Sequence, residues 1–577
     1  MTRPFYSTTT ETKRILDLIT SLVPLPLSQE HIRNNVSFTS SRELPYFPIP
    51  FKETEVAAAL KAIEGNLASA LAALGNDGQK SPASVTVNLE KTTTFLFQAY
   101  LATVGGFGKL DKEVKPFLKD TDLLQAQSDP YRRMSANLYE TKRMGEYYHI
   151  HGSLEASTTL RMIGLEPFRP DLHDHDAIVE TIESKVKQFT IEELEDLNTK
   201  NRQAGIPALT YEDFCATPHG KANIDLPPWA VHNLEETTPP TPLPKTTANR
   251  VLSGVKVLEL CRIIAGPVMG RILAEYGADV LKVTGPNLSD VPFFQVDGNM
   301  GKHATQIDLK SDQGRRVFEA LLADADVVLD GYRPGAIEKL GYGPEALAEM
   351  AKKRGKGIVY VNENCFGYEG PWADRPGWQQ IADCASGVAW EQGHFMGLDE
   401  PVVPPFPISD YGTGCMGAIA ALTGLYHRAT HGGSWHGKVS LLQYDLLLFK
   451  VGMYSEEVRD QLRKEAGEEF LALRHSHSVD QISGTALRRL KSLHPHLVDM
   501  SEMGVAWYSD AYKADVVVVK PVAEVEDLDI GFERASRPNE TDAPSWDFSG
   551  DKDFCKGVFT VDGSLTGISE ADGANGI

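Results

Sequence analysis

The sequence predicts an α/β protein built on an open, mostly parallel sheet with helices on both faces. Three observations carry this. Residues 254–361 alternate short apolar runs with helical stretches, the pattern of βαβ units. A Pro/Thr-rich segment, EETTPPTPLPKTTANR at 235–250, divides the chain and has no apolar period. The chain of 577 residues is 42% hydrophobic and 24% charged, enough to bury a large core.

The elements follow in order. Val255-Lys256-Val257-Leu258-Glu259-Leu260 is predicted as a strand. Gly266-Pro267 opens a helix, because proline presets the φ of a first turn. Ala278–Val283 is a second strand, QGRRVFEALLADA a helix, and Val327-Val328-Leu329 a third strand. PEALAEMAKKRG and Gly357–Val361 repeat the helix–strand alternation. A weak internal repeat crosses the linker. Val87-Asn88-Leu89 begins a stretch ending in Phe95-Leu96-Phe97, and Val439-Ser440-Leu441 one ending in Leu447-Leu448-Phe449.

The formal charge of -22 argues against nucleic acid as a partner. No apolar stretch suggests a membrane partner. The six cysteines form no CxxC pair, so reduced thiols are expected. No signal peptide or peroxisomal address is read at the ends, and a cytoplasmic location is expected.

GVKVLELCRIIAGPVMGRILAEYGADVLKV resembles the opening βαβ of the family III CoA-transferases. That family includes formyl-CoA transferase, carnitine CoA-transferases and α-methylacyl-CoA racemase. The resemblance continues through GKHATQIDLK, ADVVLDGYRPGAIEKLGYG, FGYEGPWADRPGW, PISDYGTGCMGAIAALTGLYHR and GKVSLL. NLYETKRMGEYYHIHGSL and FTIEELEDLNTKNRQAGIPALTYEDF resemble the family's smaller α+β domain, which here precedes the large one. This implies an N-terminal region, 1–234, with a small-domain-like segment at about 130–220, and the linker 235–250. A CoA-binding-like domain at 251–455, a completing segment at 456–550 and a flexible tail at 551–577 follow. A homodimer is implied, with the site built within one chain or across two.

The resemblance implies coenzyme A as co-substrate. It places CoA contacts on Ile264, Ala265, Lys310, Tyr332, Lys339 and Asn364, with Arg333 added from the YRPG turn. Phosphates need cations and backbone donors near strand ends, which these positions offer. Transferases of this family use an aspartate as nucleophile, and in the loop GHFMGLDEPVVPP the candidate is Asp399. The other reading there is a solvated Asp399-Glu400 pair. Racemases of the family use a Gly-His-Asp turn, a Glu of the small domain and an Asp. Gly377-Trp378-Gln379 replaces the turn, while Asp410 and Glu140 keep the other two positions. Two-base racemisation is therefore disfavoured, and one-base isomerase or lyase chemistry by Asp410 stays open. A helix cap is the other reading of Asp410.

His149 and His151 alternate as on a strand, and His151 is a candidate base. Trp378, Gln379 and His394 are candidate pocket residues. DLHDHD at 171–176 has metal-like residues but reads better as a helix cap, and no metal is expected. The leading expectation is CoA transfer between an acyl-CoA and a carboxylic acid. The alternatives are α-proton transfer, or a family scaffold repurposed in secondary metabolism to bind or cyclise a metabolite without CoA.

Overall fold

The computed structural model describes residues 6–75, 83–244 and 249–557. Positions 245–248 of the linker and 558–577 of the expected tail lie outside them. A seven-stranded sheet forms the centre. Its strands are β1 (Trp229–Glu235), β2 (Lys256–Leu260), β3 (Asp279–Thr284), β4 (Lys302–Gln306), β5 (Val327–Asp330), β6 (Val359–Asn364) and β7 (Ser434–Ser440). The order is β4-β3-β2-β5-β6-β7-β1, parallel except for β1, which runs antiparallel to β7. Strands buried on both faces read as apolar runs, and β2, β3 and β5 are buried almost throughout.

The chain leaves β2 to build outward through β3 and β4, then returns to β2's other side with β5. Such a reversal opens a crevice beyond the carboxyl ends of the two central strands. The loops that reach it are Cys261–Ile264 after β2 and Gly331–Arg333 after β5.

Five helices frame this crevice: α1 (Glu53–Gly75), α2 (Ala265–Glu275), α3 (Gln379–Ser386), α4 (Ile408–Thr430) and α5 (Leu441–Val451). Helix α4 packs on α1, α2 and β7. Gly414 permits this: a Cβ there would strike Val268 of α2. Contrary to the expectation that no 18-residue apolar stretch exists, helix α1 is long and apolar enough to cross a membrane, yet 89% of its apolar window is buried inside the fold.

The internal repeat has a structural counterpart. Helix α1 leads to the strand Val85–Asn88 and the helix Leu89–Phe95, capped by the Asn88 side chain. Helix α4 leads in the same way to β7 and α5, capped by Ser440. Val36–Thr39 runs parallel to Val85–Asn88, as β6 does to β7. Both long helices have 23 residues and pack against each other.

The small-domain-like segment forms an antiparallel sheet of Ala136–Glu140, Tyr147–His151 and Ile206–Pro207, flanked by helices. Asp174 caps the helix His175–Val186 by accepting from the Ala177 N–H at 3.0 Å. The segment 456–550 contributes no strand to the large sheet. Its Gly504–Ser509 and Ala514–Val519 join Thr103–Val104, Phe107–Gly108 and Phe554–Gly557 in a separate five-stranded sheet. Residues 554–557, expected in the flexible tail, are thus a paired strand.

Candidate active site at the switch point

Two cavities meet in the crevice. The smaller is about 240 Å³ and the larger about 660 Å³. Ser153, Leu154, Ile263, Ile264, Trp378 and Asp410 line both. Ser153 and Leu154 belong to the small-domain-like segment, which packs over the crevice of the large sheet.

The loop after β2 turns sharply to reach the crevice. Ile263 takes φ +72°, a left-handed conformation that strains a β-branched residue. The turn aims the first turn of α2, which no side chain caps, at the smaller cavity. Backbone N–H groups at such an end favour anions. Arg262 and Arg333 add cations. Arg262 donates to Ser289 O at 2.9 Å and lies 5.4 Å from the Tyr332 ring centroid. Partial burial, and then Arg262, lowers the basicity of Arg333.

Asp410 stands in the first turn of α4. Pro407, not Asp410, is the cap residue, and no donor among the described residues bonds the Asp410 carboxylate. Burial, and then Asp445, pushes its pKa up to about 8. Glu363, at the end of β6, lines the smaller cavity and is pushed up to about 8 by burial, then by Asp410 and Asp330. Beneath them, Ser409 Oγ donates to Asp383 at 3.1 Å and Asp445 at 2.9 Å, and Ser386 Oγ to Asp445 at 3.0 Å. Burial, and then Asp445, raises Asp383, so a proton is retained in this pair. Gln379 donates its amide to Asp383 one turn along α3, and the Ser409–Asp383 bond ties α3 to α4.

Gly377 lets the turn before α3 press against Cys365, where a Cβ would collide with the sulfur. Trp378 is then held over the site. Its Nε1–H donates to Ser153 Oγ at 2.8 Å, and its ring stacks on His151 at 5.6 Å and 9°. His151 stacks in turn on His149 at 5.5 Å. His151 Nδ1 accepts from the Ser153 N–H at 2.9 Å, so its proton sits on Nε2. Burial, with the neighbouring His149 and Arg133 adding, holds His151 well below the usual imidazole range. It is a neutral wall residue.

The structure brings Ile264, Ala265, Tyr332, Arg333, Asn364, Trp378 and Asp410 to the smaller cavity, and His151, Gln379, Trp378 and Asp410 to the larger. It does not bring Lys310 or Lys339, which are exposed and line neither. Asp399, in the loop after the helix Val388–Phe395, and His394, in that helix's last turn, are also exposed and line neither cavity. Next to Asp399, Glu400 is buried and bound by Arg474 at 2.6 Å. Glu140 lines neither cavity and is paired with Lys187 at 2.9 Å. Sequence reasoning missed Arg262, Glu363, Lys109, Arg133 and Asp480. Arg262 had a legible signal, a cation directly between a strand and a helix start. The others had none.

A family model described as CoA-transferase family III matches residues 252–477. The chain is 32% identical over 544 residues to the acetyl-coenzyme A transferase nodX of Hypoxylon pulicicidum, covering 90% of each. It is 32% identical over 457 residues to an acyl-CoA transferase of Gibberella moniliformis, covering 78% of this chain and 80% of that one. Among solved structures, a hypothetical protein of Mycobacterium tuberculosis is 30% identical, over 37% of this chain and 57% of that one, at a TM-score of 0.29. The chain belongs to CoA-transferase family III and is a CoA-transferase-like enzyme.

Proposed function

We propose that the protein transfers CoA between an acyl-CoA and a carboxylic acid, with Asp410 rather than Asp399 as the nucleophile. One observation carries this: Asp410 is the single carboxylate, among the described residues, that lines both cavities. In the smaller cavity Arg262, Arg333 and the start of α2 suit the CoA phosphates. The thioester then lies between the cavities, beside Asp410.

The Asp410 carboxylate attacks the thioester carbonyl, and CoA leaves as thiolate. The thiolate attacks the aspartyl carbonyl of the resulting mixed anhydride, which forms an aspartyl-CoA thioester and releases the first carboxylate. The second acid's carboxylate attacks that thioester, giving a new mixed anhydride and free thiolate. Attack of the thiolate on the new acyl carbonyl yields the new acyl-CoA and returns Asp410 as carboxylate.

The test is mass mapping of the protein after incubation with acetyl-CoA. A CoA or acyl adduct on the peptide carrying Asp410 is expected, lost in Asp410→Asn and kept in Asp399→Asn. An adduct at Asp399 would reverse the assignment. Exchange of the α-protons in heavy water with no adduct would point instead to one-base proton transfer by Asp410.

A further inference from the structure

The larger cavity exceeds what a short acyl group requires. Its volume of about 660 Å³ falls in the range of about 300–1,000 Å³ typical of clefts that enclose drug-sized ligands. Its wall is mainly apolar, with Leu110, Val114, Leu118, Val291, Phe293 and Phe294.

Of the four cations of the N-terminal half on its wall, Lys109 and Arg133 are not exposed. Lys109 is spent: it pairs with Asp480, and its ammonium lies 4.8 Å from the Tyr100 ring centroid and 5.5 Å from that of Phe294. Tyr100 Oη also donates to Asp480, at 3.1 Å. Arg133 is not spent. Its guanidinium is 3.9 Å from Asp480 Oδ2, beyond hydrogen-bond reach, and no described residue bonds it. Arg133 lies close enough to His149 and His151 that its charge, after burial, helps keep both rings neutral. His151 stacks on Trp378, which shares the cavity wall with Asp410.

The other charges on this wall are already engaged or solvated. Asp122 accepts the N–H groups of Ala126, Gln127 and Ser128. Asp111, Lys112 and Lys115 are exposed. Lys109 and Arg133 share the one carboxylate of Asp480, so a surplus positive charge remains, and Arg133 offers five donors that no described residue takes up, on the His151–Trp378 side.

We propose that the larger cavity receives the acid co-substrate, that this acid is a bulky, mainly apolar monocarboxylate, and that Arg133 binds its carboxylate. The inference rests on the CoA-transfer reading and names the acid that reading leaves open. One surplus positive charge matches one carboxylate, which a guanidinium with unused donors can grip through two parallel bonds. The apolar wall rewards a hydrocarbon body and offers a small hydrophilic acid little.

The test is calorimetric titration of the full chain, without CoA, using dodecanoate, hexanoate and 1-dodecanol as probes. Each methylene buried favours binding by up to about fourfold. Dodecanoate should bind at least tenfold more tightly than hexanoate and than 1-dodecanol. Arg133→Gln should abolish the preference for acid over alcohol, and Arg133→Lys should restore part of it. Leu118→Trp, which fills the cavity, should weaken dodecanoate and spare hexanoate. Equal dodecanoate affinity in wild type and Arg133→Gln, or no binding at millimolar dodecanoate, overturns the proposal. Adduct formation at Asp410 is scored separately. Adduct without dodecanoate binding refutes this inference alone, and dodecanoate binding without adduct refutes the transfer chemistry alone.

Discussion

The rate of CoA transfer should climb with pH through the range where most carboxylates are already fully ionised. As the proposed nucleophile Asp410 must be a carboxylate to attack a thioester, yet burial and then Asp445 raise its pKa from 3.8 to about 8. At pH 7 such a group is ionised in about one molecule in ten, and at pH 9 in about nine in ten. The value of kcat/KM, which reports the free enzyme, should therefore rise about tenfold between those pH values, with a midpoint near 8. Asp445→Asn removes the second cause and should move the midpoint down. Glu363 titrates in the same window, raised to about 8 by burial, then by Asp410 and Asp330, so it needs a control. Glu363→Gln should keep the ascending limb. The assay is initial-rate transfer from acetyl-CoA at subsaturating substrate across pH 6–9.5. A flat profile, or a limb lost in Glu363→Gln and kept in Asp445→Asn at its original midpoint, would refute the reasoning.

Two further outcomes concern stability. Glu53, fully buried with Tyr444 Oη donating to it at 2.7 Å, is raised from 4.5 to about 8 by burial above all. A pKa raised on folding stabilises the protein fully below the unfolded value and loses that stabilisation as pH rises through the folded value. Glu53→Gln should therefore unfold at a higher temperature than wild type at pH 9, by up to about 5 kcal/mol, with the gap closing toward pH 5; a gap that widens toward acid would contradict this. Lys302 Nζ donates to Glu259 and to Pro267 O, both at 2.6 Å, in a site sealed from water. Lys302→Met should cost about 3–5 kcal/mol in denaturant unfolding by stranding Glu259, and adding Glu259→Leu should recover much of it.

The central strands were determined by the sequence itself. A strand covered on both faces must be apolar along its length, so β2, β3 and β5 stand out as short runs between helical stretches. The loops at their carboxyl ends came with them, because a ligand crevice follows from where the strand order reverses. Ile264, Ala265 and Tyr332 were placed there by the family resemblance and Arg333 by the YRPG turn, and Trp378 was legible as a departure from a motif. The choice between Asp399 and Asp410 was not. They lie in one stretch, and local pattern does not reveal that one loop turns to solvent while the other begins a helix under the crevice. Lys310 and Lys339 misled for the same reason: a basic residue in a matching segment has no marker for which way it faces. The larger cavity was decided by tertiary structure alone. Lys109 meets Asp480 across 371 residues, and Trp378 meets Ser153 across 225. Hydrophobic periodicity describes which face of one element is buried. It holds no information about which distant element covers that face, and the cavity consists of such meetings.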